Sequence, residues 1–259
     1  MKTMQRESAQ LYRRMLHLAL AAGLIAASSS ADADAQAAHP AQPPPFSAMH
    51  AGRALAPWTL VSIGIGKRPT VYDLVDDAGT IVLHAAADNA ASALAYPLHA
   101  ELRDAPVVSW RWKIAGVISG ADPHVASRED APARLVLEFD GDRSRLPLLD
   151  RGIYGLAKRA AGRELPYATL MYIWSNRDRI GTVIANPHTR RIQMIVASSG
   201  TAGVDRWQSL ARNARADFLR AFGEEPGTLT AVGVLTDSDN TDGHAEAWYG
   251  DIRFEPARH

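Results

Sequence analysis

The side chains with most chemical capacity crowd near the C-terminus, in "TDSDNTDGHAEAWYGDIRFEP", residues 236–256. Asp237, Asp239, Asn240 and Asp242 offer hard oxygen ligands, and calcium takes six to eight of those. Asp237, Asp239 and Asp242 are therefore the metal candidates, with calcium the cation they favour and no cofactor strictly required. The spacing departs from an EF-hand, because Asp242 stands where the sixth-position Gly belongs and Trp248 where the twelfth-position Glu belongs. The competing reading is an Asx-rich turn, in which Asp and Asn side chains bond nearby backbone amides.

A second group lies in "REDAPARLVLEFD", residues 128–140. Asp130 and Arg134 flank the entrance to a strand, where they form an ion pair or leave Arg134 free to grip a carboxylate bidentately. Glu138 and Asp140 alternate with Leu137 and Phe139, so they share one face of that strand. Glu138 with Asp237 or Asp239 is the catalytic candidate, since glycosidic hydrolysis takes two carboxyl groups about 5–10 Å apart. Trp174, Ser175 and Asn176 end another strand, and Trp174 alternates with Tyr172. Aromatic rings with Asp, Asn and Arg at strand ends are the equipment of carbohydrate recognition. Most tryptophans of a sandwich are core; Trp110 and Trp112 are expected inside, with Trp174 or Trp248 at the surface. The ligand-binding set is thus Asp130, Arg134, Glu138, Trp174, Asn176, Asp237, Asp239 and Asn240. The nine histidines are scattered and His124 reads as a loop residue, while "GIGKRPT" lacks P-loop spacing and no G-x-S-x-G or HExxH occurs.

The elements that must position these groups are short strands. "TVYDLVDD" (70–77) and "TIVLHAAAD" (80–88) make a hairpin signal around Gly79. "VVSWRWKI" (107–114) puts Trp110 and Trp112 on one face, Arg111 and Lys113 on the other. "ARLVLEFD" (133–140), "ATLMYIWS" (168–175), "GTVIANP" (181–187), "RIQMIVASS" (191–199), "TLTAVGVLTD" (228–237) and "HAEAWYGDIRFE" (244–255) continue the series. Residues 145–165 and 213–227 read as helical interruptions. Short strands with turn punctuation predict an all-β fold with short helical insertions, an antiparallel jelly-roll β-sandwich of galactose-binding-like type.

The N-terminus has a different purpose. Lys2, Arg6, Arg13 and Arg14 precede the apolar run "MLHLALAAGLIAA" and small-x-small sites up to Ala37, the pattern of a secretory signal peptide. Residues 1–35 are assigned to it, 36–54 to a flexible Pro-rich N-terminal arm, and 55–256 to a single β-sandwich domain. The location expected is periplasmic or secreted, with no membrane span after cleavage, since spanning takes about 20 apolar residues. Export permits disulfides, but the chain has no cysteine. Removing the four basic and three acidic residues of 1–35 from the 28 of each kind leaves 24 basic and 25 acidic. That balance gives no electrostatic case for nucleic acid or an anionic membrane.

Taken in order, "VVSWRWKI", "REDAPARLVLEFD", "LMYIWSN", "ANPHTRRIQMIVASSG" and "VLTDSDNTDGHAEAWYGDIRF" resemble the bacterial exported proteins of domain of unknown function 3047, over about residues 55–255. The resemblance implies a single-domain exported protein and no particular activity. "AWYGDIRF" is also similar to the terminal strand of galactose-binding-like and carbohydrate-binding jelly rolls. The expected function is a non-catalytic periplasmic binding protein for a glycan or cell-envelope component. The alternatives are an envelope glycoside hydrolase and a structural partner protein of an envelope complex.

Overall fold

The computed structural model describes residues 42–63, 66–146, 152 and 165–257. The expected signal peptide, the start of the Pro-rich arm and nearly all of the 145–165 excursion lie outside those residues. Two sheets form a β-sandwich, as the strand pattern predicts. The strands are β1 (Thr59–Ser62), β2 (Val71–Asp77), β3 (Thr80–Asp88), β4 (Ala91–Ala100), β5 (Val107–Ile114), β6 (Arg134–Phe139), β7 (Ala168–Ser175), β8 (Val183–Ala185), β9 (Ile192–Ser199), β10 (Gln208–Asn213), β11 (Leu229–Asp237), β12 (His244–Tyr249) and β13 (Arg253–Glu255). One sheet runs β1-β4-β11-β6-β7-β9-β8, and the other β10-β5-β12-β3-β2, with β13 beside β5. Pairing is antiparallel except between β7 and β9, which run parallel.

Alternation decides which sheet faces water. In β5, Val108, Trp110, Trp112 and Ile114 are buried, while Arg111 and Lys113 are only half-buried on the opposite face. Trp110 packs on Tyr172 of β7 at 5.0 Å and Trp112 on Trp174 at 6.2 Å, so tryptophans and tyrosine zip the two sheets together. The indole N–H of Trp112 donates to Ser198 Oγ at 2.9 Å, which satisfies the polar handle that so large a buried ring carries. By contrast β6, β7 and all but one end of β9 are buried on both faces. Their central residues therefore read as short apolar runs, LVL in β6, LMYIW in β7 and MIVA in β9.

The one described α-helix, α1 (Ala214–Phe222), starts where Asn213 caps it, accepting from Ala216 N at 2.9 Å. It stops at Gly223, whose φ of 74° lies in the left-handed region. Phe218 anchors α1 on the core at 4.7 Å from Phe139. From Gln42 onward the Pro-rich arm is docked rather than flexible. Gln42 donates to the Phe254 carbonyl at 2.6 Å and accepts from Phe254 N at 2.9 Å. Buried Phe46 stacks on Trp58 at 4.7 Å, so apolar burial fixes the arm where prolines alone would only stiffen it.

Candidate functional site

The acidic loop at the end of β11 is a buried ionic network. Arg134 is 1% exposed and meets Asp237 bidentately, Nε–Oδ1 at 2.8 Å and Nη2–Oδ2 at 2.9 Å. Both project from the outer face of the larger sheet, because Arg134 opposes Leu235, two residues before Asp237. The guanidinium also donates to the Glu129 carbonyl, and Asp237 Oδ1 accepts from Ala131 N at 3.2 Å. Asp130 does not pair with Arg134 as the sequence spacing invites. Its carboxylate instead takes Asn240 N at 3.1 Å, Thr241 N at 2.8 Å and Thr241 Oγ1 at 2.7 Å, which closes the 238–243 turn. Asp239 pairs with Lys67 at 2.5 Å. Burial pushes the Asp237 carboxyl up to about 6 against the pull of Arg134. Burial would lower the Arg134 pKa, yet Asp237 and Glu129 raise it, so the pair stays ionised at neutral pH.

The metal expectation changes in composition. Asp130, Asp237 and Asp239 bring one oxygen each within 4.8 Å of one another. Asp242 is exposed, in a left-handed turn conformation with φ 50°. Of the six oxygens in the cluster, five already accept from N–H, O–H or ammonium groups, and only Asp239 Oδ1 is buried without a partner. Calcium needs six to eight oxygens. Arg134 and Lys67 already supply the balancing positive charge, so the residues do not fit a calcium ion.

The remaining candidates stay apart. Glu138 opposes Ala231, and Asp237 stands six residues further along β11, or about 20 Å at ~3.3 Å per residue. That exceeds the span a glycosidase pair uses, and Glu138 is itself buried at 5% exposure. Trp174, expected at the surface, is wholly buried between Trp112 and the Gly200 carbonyl that its N–H reaches at 3.0 Å. Asn176 donates to the Ile118 carbonyl at 2.6 Å and the Ala121 carbonyl at 3.3 Å, pinning the 115–133 loop. His124 pairs with Asp178 at 3.0 Å, and Ser175 Oγ donates to the same carboxylate at 2.6 Å. The carboxylate stands between serine and imidazole, so the imidazole does not reach the serine hydroxyl as in a Ser–His pair, and the arrangement clasps the loop.

A different arrangement stands on the solvent face of the smaller sheet. Asp73 opposes His84, His84 opposes Trp248, and Trp248 opposes Lys113. Trp207, directly before β10, sits beside Lys113, because Gln208 pairs with Trp112. One row across the sheet therefore reads imidazole, indole, ammonium, indole. The His84 ring stacks on Trp248 at 4.9 Å, Lys113 Nζ lies 4.6 Å from Trp248 and 5.3 Å from Trp207, and Arg111 Cζ lies 4.4 Å from Trp207. Each such contact contributes ~0.5–1 kcal/mol at an exposed site. Both indoles are half-buried. The Trp207 N–H donates to Asp77 at 2.6 Å, which holds the Asp77 carboxyl below its usual range, with Lys113 assisting. Glu246 is held low in the same way, first by His244 at 3.0 Å and then by His84 at 3.3 Å. Beside the row an open cleft of about 420 Å³ runs between the β2–β3 hairpin tip, β5, β10 and β13.

Residues 56–253 match the family model described as "Protein of unknown function (DUF3047)". The chain belongs to that family. No curated protein matches it. Among solved structures it is similar to the family 30 carbohydrate-binding module of a cellulosomal cellulase of Clostridium thermocellum, at 12% identity over 83% of this chain and 95% of that one, with a TM-score of 0.33. It is also similar to a loop-swap mutant of Necallimastix patriciarum Xyn11A, at 9% identity over 74% and 89% of the two chains, TM-score 0.33. At those scores neither likeness bears on what this family member binds.

Trp207 escapes a reading of the sequence because "DRWQSLARN" has only a weak strand pattern, with Leu210 as its one large aliphatic. The signal available was Arg111 and Lys113 alternating with buried tryptophans, which sets two cations side by side on the outer face of β5.

Proposed function

We propose that this chain is a non-catalytic glycan-binding protein of the cell exterior, and that the solvent face of the smaller sheet is its platform. The observation that carries the reading is the pair of half-exposed indoles, Trp207 and Trp248, fixed by Lys113 between them and bordered by the polar cleft. Ligand sites join apolar surface to a few placed polar groups. Here the indoles supply the apolar part, and Arg111, Ser209 and Arg253 of the cleft supply polar groups matched to sugar hydroxyls. The charged, apolar, small-residue N-terminus supports the export part of this reading. The carboxylates of the acidic loop, Asp130, Asp237 and Asp239, are committed to a turn and to ion pairs, which favours recognition over hydrolysis at that loop.

The test is retention on a panel of insoluble and soluble polysaccharides including peptidoglycan, with released sugar assayed in the same tubes. Retention without release, lost in Trp207→Ala and Trp248→Ala but kept in Leu60→Ala on the opposite sheet, is expected. Sugar release would transfer the protein to the hydrolases. No retention across the panel would leave the third sequence-based alternative, a structural partner of an envelope complex.

A further inference from the structure

We infer that the glycan is acidic and that Arg111 is the anchor for its carboxylate. This rests on the glycan-binding reading and narrows it to a substrate class. The Arg111 side chain is seated at both ends. Its stem crosses Gly250, where an added Cβ would lie 2.5 Å from Cγ and 2.6 Å from Nε, so only glycine leaves the path open. Its guanidinium lies over Trp207 at 4.4 Å and lines the cleft with Ser109, Ser209 and Arg253. A guanidinium held in place loses little freedom when it grips a ligand.

Its donors are unspent. Two other arginines among the described residues stack on aromatic rings, Arg191 on Tyr167 and Arg212 on Tyr172. Each also pairs with a carboxylate, Arg191 with Glu224 at 3.3 Å and Arg212 with Asp217 at 2.7 Å. No carboxylate of the described residues lies within ion-pair distance of Arg111. Asp77, which senses its charge, gives its oxygens to Trp207 and Lys113. The acids of the cleft are occupied as well: Asp251 accepts from Ser47 N at 2.9 Å and Ser47 Oγ at 2.7 Å, and Glu255 from Ser109 Oγ at 3.4 Å. The partner that the other two stacked arginines find inside the protein is, for Arg111, supplied by the ligand. A planar carboxylate, as on a uronic acid, meets the guanidinium through two parallel N–H···O bonds.

Binding of the purified protein to polygalacturonate, to the same polymer with its carboxyls reduced to alcohols, to dextran sulfate and to dextran decides the matter. Polygalacturonate is expected to bind, and the carboxyl-reduced polymer to bind at least ten-fold more weakly. Arg111→Gln should erase that difference. Arg111→Lys, which keeps the charge and the stem but not the planar fork, should also weaken polygalacturonate binding, with thermal unfolding confirming that both variants fold. Equal binding of the reduced polymer, or of dextran sulfate and polygalacturonate, would overturn the carboxylate assignment while leaving the glycan reading intact. Indifference to Arg111→Gln alongside loss in Trp248→Ala would do the same. Binding of none of the four would remove this inference, and failure of the wider polysaccharide panel would remove the glycan reading itself.

Discussion

Replacing Asp237 by Ala isolates the cost of the buried ion pair. Asp237 receives two bonds from Arg134, at 2.8 and 2.9 Å, and one from Ala131 N at 3.2 Å. Arg134 is 1% exposed in the native protein, and the contacts that truncation leaves it are the Glu129 carbonyl and the Met194 sulfur at 3.6 Å. An uncompensated buried charge of this kind costs about 3–5 kcal/mol, set against a total of about 5–15 kcal/mol for a domain. Urea unfolding followed by tryptophan fluorescence reads the loss, since Trp110, Trp112 and Trp174 are all buried. The double variant Arg134→Met with Asp237→Leu removes both charges, and well-packed apolar replacements for a buried pair are often neutral or better. It should recover most of the loss. If Asp237→Ala costs under about 1 kcal/mol, or if the double variant is as unstable as the two single variants added together, then the pair is not the desolvated unit described above.

Two further outcomes concern stability. Burial holds the Glu129 carboxyl up at about 7, and its Oε2 accepts from Asn186 Nδ2 at 2.6 Å. The native state thus keeps a proton that the unfolded chain gives up near its ordinary value of 4.5. Stability should fall as pH rises from there to about 7 and then level off, and Glu129→Gln should flatten that slope in denaturant melts taken across the window. Asn213→Ala removes the α1 cap bond of 2.9 Å and should cost ~1 kcal/mol in the same assay, with Asn213→Asp nearly silent.

Most strands were legible from alternation or from the turn that marks an end, but β1 and β10 were missed although each has a face toward solvent. β3, β5 and β7 begin and end where the pattern puts them, at Thr80–Asp88, Val107–Ile114 and Ala168–Ser175. β4 was hidden, because "ASALAYPLHA" is buried almost throughout, lacks alternation and contains Pro97. The sheet tolerates that proline where the β11 register shifts between Leu229 and Ala231. The run 244–255 splits into β12 and β13, since the backbone turns aside at Gly250–Ile252. The candidate site was legible as residue types and not as directions. Asp130, Arg134, Asp237, Asp239 and Asn240 do converge, but on one another: opposite charges brought together inside a protein satisfy themselves, and spacing along a strand cannot show which face is covered. Trp174 was misplaced for that reason, since the strand carrying it is buried on both faces.

The borders of the two sheets have a consequence for solubility. A long, flat, uncharged border strand is a template for adding a foreign strand. Here the larger sheet ends in β8, three residues long, and β1, four residues long. The smaller sheet ends in β2, which carries Asp73, Asp76 and Asp77, and in β10, which carries Arg212 and runs directly into α1. Brevity guards one pair of borders and charge the other, so among the described residues neighbouring copies at high concentration find no long, flat, uncharged edge on which to stack into fibrils.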